Sequence, residues 1–229
     1  MPHSPSQQEQ PPNPGLYSTF NLRVLYPLVV TRGSHRPVWR VSNRELAALY
    51  ERRTGAGHVE IGPGNGHFLH RLRPPSRPER LVLIDVHPGP LDVTARRLAG
   101  RIGSVHRHRG DALEAWPEQA RGADSAAATM MLHTLPGPGF AAKARLFDRA
   151  AEVLRPGGVF FGATILDSGE GVRHTRLSRA LMSRYRARGW FDNASDTRED
   201  LERELAERFE LQTFDVRGCV ALWAGVRRG

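Results

Sequence analysis

The sequence predicts an α/β fold, a mostly parallel sheet whose strands alternate with helices and which ends in an antiparallel hairpin. Three observations predict it. Short apolar runs alternate with helix-patterned segments from His58 to Leu166. A glycine-rich turn joins the first run to its helix. Near the end, two apolar runs, Leu211–Val216 and Cys219–Val226, are split by Arg217-Gly218, the spacing of a hairpin. With 229 residues the chain is long enough for one domain with a lid.

The elements follow in order. Residues 1–15 hold five prolines and no apolar period, so they read as a disordered tail. They lack the apolar stretch of a signal peptide. From Leu16 to Trp39 apolar and aromatic residues recur, with helical turns broken at Pro27 and Pro37. A helix over Asn43–Arg53 is supported by the Ser42/Glu45 capping box and by Leu46, Leu49 and Tyr50 on one face. Strands are expected at His58–Ile61, Leu81–Ile84, Ser104–His108, Ser125–Met131 and Gly158–Leu166. Helices are expected at His67–Leu72, Leu91–Leu98, Ala112–Gln119 and Phe140–Leu154, which makes the connections right-handed crossovers. Val172–Arg188 and Thr197–Arg208 read as two further helices before the hairpin.

Composition narrows the function. The chain is 39% hydrophobic and 25% charged, the balance of a globular domain. No apolar run is long enough to span a membrane. Cys219 is the single cysteine, which excludes internal disulfides, a cysteine zinc site and an iron–sulfur cluster, and fits a reducing cytoplasm. The net charge of +9 raises nucleic acid as a partner. Yet Lys143 is the single lysine among 33 basic residues, the bias expected of a GC-rich genome.

The chemistry concentrates in Val59-Glu60-Ile61-Gly62-Pro63-Gly64-Asn65-Gly66, directly after a strand. Its glycines let a ligand approach the backbone. The spacing G-x-G-x-G is not that of a pyrophosphate loop, and Glu60 would repel a pyrophosphate while suiting a cation such as the sulfonium and ammonium of S-adenosylmethionine. Asp85, 19 residues beyond Gly66, stands where an acid can accept both hydroxyls of a ribose, or simply cap a helix. Asp111 can accept from an adenine amino group, although an acid before a helix is also an ordinary cap.

With the glycine loop, Asp85, Asp111, Leu132-His133-Thr134-Leu135-Pro136-Gly137, Leu154-Arg155-Pro156-Gly157-Gly158 and the hairpin in this order, the chain resembles class I S-adenosylmethionine-dependent methyltransferases. Val38-Trp39-Arg40, the 132–137 segment, Phe161–Leu166 and Gly189–Asn193 resemble the small methyltransferases of natural-product pathways. The resemblance implies a single Rossmann-like domain at 55–229 behind an N-terminal helical lid at 16–54, with 167–209 a helical insertion covering the substrate. It also implies a seven-stranded sheet in the order 3-2-1-4-5-7-6, last strand antiparallel. It places the cofactor against Trp39, Glu60, Gly62, Gly64, Gly66, Asp85, Val86, Asp111, Ala112 and Met130, with the methyl group toward His133.

Missing motifs narrow the reaction further. No Asn/Asp-Pro-Pro-aromatic segment follows the fourth strand, which argues against adenine-N6 chemistry, and no carboxylates there offer a magnesium site. One cysteine excludes a radical cluster. Direct in-line displacement remains, with the acceptor about 3 Å from the methyl. His133 is the first candidate for base or for positioning the acceptor, followed by Tyr17 and His35 in the lid. Tyr185, Trp190 and Phe191 offer an aromatic wall for a flat acceptor, or pack as core. Arg173, Arg176, Arg179, Arg184, Arg186 and Arg188 read as a solvated surface, with an anionic ligand as the alternative.

The expectation is thus a cytoplasmic, metal-independent methyltransferase, monomer or homodimer, acting on nitrogen, oxygen or a nucleophilic ring carbon of a small aromatic or alkaloid-like metabolite. An RNA methyltransferase, a non-catalytic scaffold of the same fold and a NAD-binding domain are the alternatives.

Overall fold

In the computed structural model, which describes residues 38–229, seven strands form one sheet in the order β3-β2-β1-β4-β5-β7-β6. The strands are β1 (Gly57–Ile61), β2 (Arg80–Asp85), β3 (Ser104–Arg109), β4 (Ala123–Thr129), β5 (Leu154–Ile165), β6 (Phe209–Arg217) and β7 (Val220–Arg227). The first five pair parallel, and β7 runs antiparallel to both β5 and β6. This is the predicted architecture. The 1–15 tail and the lid up to residue 37, with Tyr17 and His35, lie outside the described residues.

The helices are α1 (Asn43–Arg53), α2 (His67–Arg71), α3 (Pro88–Leu98), α4 (Ala144–Val153), α5 (Arg176–Ala187) and α6 (Arg198–Arg208). Helix α1 begins at the capping box. Ser42 Oγ accepts the Glu45 N–H at 3.1 Å and Glu45 Oε2 accepts the Ser42 N–H at 2.8 Å. Every residue of β1 is buried, as a central parallel strand requires. Side-chain alternation sends Val59 and Ile61 into a core with Val82, Ile84, Phe147 and Phe160. His58 and Glu60 therefore face the other layer, where Tyr50, Leu81, Leu83 and Phe161 pack.

Several elements depart from expectation. Ala112–Gln119 is not a helix; only a short 3-10 turn, Glu118–Ala120, forms there. Pro117 lacks an N–H and drives Trp116 out of the helical region, and the Trp116 indole instead donates to the Ala112 carbonyl at 2.9 Å. The Phe140–Leu154 segment opens with a 3-10 turn, Ala141–Lys143, and Leu154 leaves it to pair with Ala123 at the start of β5. Strand β4 stops at Thr129 because Met130 turns to φ 58. Helix α5 starts at Arg176, not Val172, because the side chain of Thr175 accepts the Ser178 N–H at 3.0 Å. Its buried residues are Ser178 and Met182, while Leu177 is exposed. In the hairpin Arg217 pairs with Val220, so the turn is Gly218-Cys219, with glycine at positive φ in first place.

Candidate active site

A cleft of about 210 Å³ opens at the carboxyl ends of β1, β2 and β4, on either side of the switch point between β1 and β4. The turn after β1 contributes Gly62 and Gly64, the ends of β2 and β3 contribute Asp85–His87 and Gly110–Ala112, and Met130, Met131, Thr134–Pro136, Gly189 and Trp190 close the far side.

The glycine turn is held from beneath. Gly62 N–H donates to Ile84 O at 2.9 Å, Thr94 Oγ1 to Gly64 O at 3.2 Å and Arg97 Nη1 to Asn65 O at 3.0 Å. Gly62 has φ 67, and a Cβ there would stand 3.0 Å from that of Met131, narrowing the cleft. Gly66, also at φ 67, caps α2 against Thr94 and lies outside the cleft lining. Across the cleft Met130 is a non-glycine residue at positive φ, its N–H held by Ala163 O at 2.6 Å.

The acids differ in environment. Asp85 ends β2 and accepts the His87 N–H at 2.8 Å. Burial pushes its carboxyl up to about 7, against the opposing pull of that N–H. Asp111 is exposed, and its Oδ1 accepts the Leu113 N–H at 2.9 Å, an ordinary turn cap. Glu60 is buried outside the cleft lining, with Oε1 on the Tyr50 hydroxyl at 2.6 Å and Oε2 on His58 Nε2 at 3.0 Å.

His133 sits in a 3-10 turn, Leu132–Thr134, and is buried. Its Nδ1 lies 3.3 Å from Thr164 Oγ1 and accepts the Ile165 N–H at 3.4 Å, which in a neutral ring assigns the proton to Nε2. Its ring meets the Phe191 ring at 4.4 Å, edge to face, and its carbonyl accepts the Asp192 N–H at 2.9 Å. Tyr185 packs on Trp190 at 5.3 Å and on Phe191 at 5.0 Å, while Trp39 lies 6.0 Å from Phe191. Of these aromatics Trp190 lines the cleft, and Arg188 covers its ring at 5.0 Å. Arg173, Arg176, Arg179, Arg184 and Arg188 are exposed, whereas Arg186 turns inward to Asp167 at 2.6 Å. Cys219 is buried, its thiol pushed up to about 11 by burial.

The structure thus brings Gly62, Gly64, Asp85, Val86, Asp111, Ala112, Met130 and Trp190 together on one cleft. It places Trp39, Glu60, Gly66, His133, Tyr185 and Phe191 in the layers behind it. It adds His87, Met131, Thr134, Leu135 and Gly189. His87 could have been found from its place two residues beyond Asp85. Among the described residues no three His, Cys, Asp or Glu side chains gather as a metal would need, and no helix is long and apolar enough to cross a membrane.

Comparison with known proteins agrees with this geometry. Residues 59–160 match a family described as a methyltransferase domain. Over 199 residues, 87% of this chain and 84% of the relative, the chain is 36% identical to Demethylluteothin O-methyltransferase of Streptomyces thioluteus. Over 200 residues, 81% of this chain and 84% of the relative, it is 30% identical to Methyltransferase aurB of Calcarisporium arbuscula. N-methyltransferase NodS of Bradyrhizobium japonicum WM9, solved in complex with S-adenosyl-L-homocysteine, superposes with a TM-score of 0.60 at 19% identity, over 81% of this chain and 87% of that one. At that identity the likeness is one of fold.

Proposed function

The chain belongs to the S-adenosylmethionine-dependent methyltransferases, and from that premise we propose that it methylates a hydroxyl oxygen of a small aromatic natural product without a metal. The observation that carries the reading is the two-sided cleft, with glycines and Asp85 on one side and Trp190 with Met130 and Met131 on the other. The choice of oxygen is supported by the 36% identity to Demethylluteothin O-methyltransferase. Metal independence is supported by the Met130-Met131-Leu132-His133 segment after β4, which offers no carboxylate.

The residues fit the cofactor. Asp85, with one backbone donor and a raised proton affinity, has acceptor capacity left for the ribose hydroxyls. Gly62 and Gly64 would leave the backbone open to the methionine end, and Val86, His87, Asp111 and Ala112, which line the same cleft, would hold the adenine end. When bound, the cofactor supplies a methyl group on a sulfonium, whose sulfur is a good leaving group. The protein's task is then positioning. Trp190 would offer apolar ring surface to the acceptor, and Met130 and Met131 line the same cleft.

His133 positions this wall. With Nδ1 between the Thr164 hydroxyl and the Ile165 N–H, and its ring edge to face with Phe191, the buried imidazole supports that ring from behind rather than taking the acceptor's proton. We expect His133→Ala to lower kcat by at least about tenfold with cofactor affinity little changed. His133→Asn, whose Oδ1 takes the place of Nδ1, should recover most of the loss. Steady-state kinetics with labelled cofactor and demethylluteothin as first acceptor would measure both. If Asn is as inactive as Ala, the base role returns; if both turn over normally, neither role stands.

A further inference from the structure

A second histidine, deep in the sheet, is unexplained by the reaction. His58 is 1% exposed, in the middle of the sheet on β1. A polar ring there costs several kcal/mol unless its nitrogens are bonded, and both are. Nδ1 lies 2.8 Å from Ser125 Oγ on β4, and Nε2 lies 3.0 Å from Glu60 Oε2 on its own strand. Ser125 Oγ accepts the Gly55 N–H at 2.8 Å.

The directions follow from what each group can do. An ionised carboxylate only accepts, so His58 Nε2 carries a proton and donates it to Glu60. At Nδ1 the ring either accepts the Ser125 hydroxyl proton or donates to Ser125 Oγ, so both of its nitrogens are bonded. On the other oxygen of Glu60 the Tyr50 hydroxyl of α1 donates at 2.6 Å. Phe161 stacks on the imidazole at 5.8 Å, and Phe68 stacks on Tyr50 at 5.2 Å, so both donors are held in place by packing. One carboxylate is thus gripped from two elements. A carboxylate has about four acceptor sites, so capacity remains for a further donor. The next residues in the chain, Ile61 and Gly62, line the cleft.

We propose that His58 is a positioning residue for the ammonium end of the cofactor, acting through Glu60. It holds that carboxylate in one orientation on the strand that leads into the glycine turn. The inference rests on the cofactor reading above and adds to it a residue outside the cleft lining. Its signature is selectivity. A ligand with the amino-acid arm should sense His58, and one that ends at the thioether should not.

The test is calorimetry with S-adenosylhomocysteine, which has that arm, and 5′-methylthioadenosine, which lacks it. His58→Leu should weaken S-adenosylhomocysteine by at least about tenfold and methylthioadenosine by less than about twofold, the loss of one hydrogen bond to a charged group. His58→Gln, which puts an amide N–H near the place of Nε2, should keep the first affinity within about threefold. Should the leucine variant fail to fold, Tyr50→Phe removes the opposite donor and should show the same selective loss. The proposal is overturned if the variants bind as wild type does, if both ligands weaken together, or if Gln is as poor as Leu. Absence of S-adenosylhomocysteine binding in the wild type would overturn the cofactor reading as well.

Discussion

Asp85→Asn is expected to abolish most of the cofactor affinity and, in the same molecule, to make the ligand-free protein more stable at pH 8. Burial raises this carboxyl from 3.8 to about 7. A raised acid binds its proton more tightly when folded, so its contribution to stability is present below the unfolded value and is lost as pH rises through about 7. Taken whole, that rise is a ceiling of about 4 kcal/mol. Asp85 is only partly covered and water reaches the cleft, so about 1–2 kcal/mol is the better expectation. That is a gain of roughly 2–8 °C in Tm for the Asn variant at pH 8. Cofactor binding has the opposite sign. Ribose hydroxyls donate to the ionised form, so affinity is full above about 7 and falls as pH drops below it. Replacing the anion should cost about 1.5–3 kcal/mol of binding, at least about tenfold in Kd. Calorimetry with S-adenosylhomocysteine from pH 6 to 8, beside thermal melts of the free protein, reads both. A flat wild-type profile, or an Asn variant with native affinity, would remove Asp85 from the ribose.

The strain that Asp85 stores was half visible in the sequence. An acid closing an apolar strand is readable because strand periodicity and turn position are local properties. The same locality made the succession of strands and helices along the chain, the glycine turn and the α1 cap readable, whereas the order of the strands within the sheet came from the resemblance. What failed was also local but subtler. Ala112–Gln119 has helical apolar spacing, yet Pro117 keeps it from forming a helix, and the hairpin turn lies one residue later because Cys219 is part of the turn. Long-range contacts were beyond reach. His58 and Glu60 stood two apart in a strand buried on both faces, a hint of a polar network, but nothing local pointed to Tyr50 or Ser125 as their partners. Likewise His133 was recognisable as a residue after β4, whereas its burial behind Phe191 depends on a segment that returns more than fifty residues later.

Lys143→Met should cause the largest loss of stability, because it strands a buried carboxylate. Lys143 and Asp196 are both fully buried, 53 residues apart in sequence. The ammonium reaches both Asp196 oxygens and the Asp192 carbonyl, each at 2.8 Å, so its three donors meet three acceptors. Desolvation holds the lysine below its usual range and lifts Asp196 to about 6, with each charge opposing the shift of the other. Asp196 thus takes stability away as pH rises from the unfolded value through about 6, and Lys143 offsets that loss. Without the lysine the loss should deepen, to about 3–5 kcal/mol at pH 8 and much less at pH 5. The double variant Lys143→Met/Asp196→Leu should regain more than half of it, since an apolar pair leaves no buried charge. Denaturant melts of the three proteins at both pH values decide this; equal losses in single and double variants would refute it. Lys143→Arg should also destabilise, because a planar fork with five donors cannot be satisfied by three acceptors around one point. That gives the one lysine a structural reason. In a chain that otherwise uses arginine throughout, the one lysine stands where a compact cation is required. The pair also reaches the acceptor side. Asp192 takes the Gly137 N–H at 2.9 Å on its carboxylate, and its own N–H donates to the His133 carbonyl. The latch therefore ties Trp190 and Phe191 to the loop after β4, and a variant that loosens it should raise KM for the acceptor before it changes cofactor affinity.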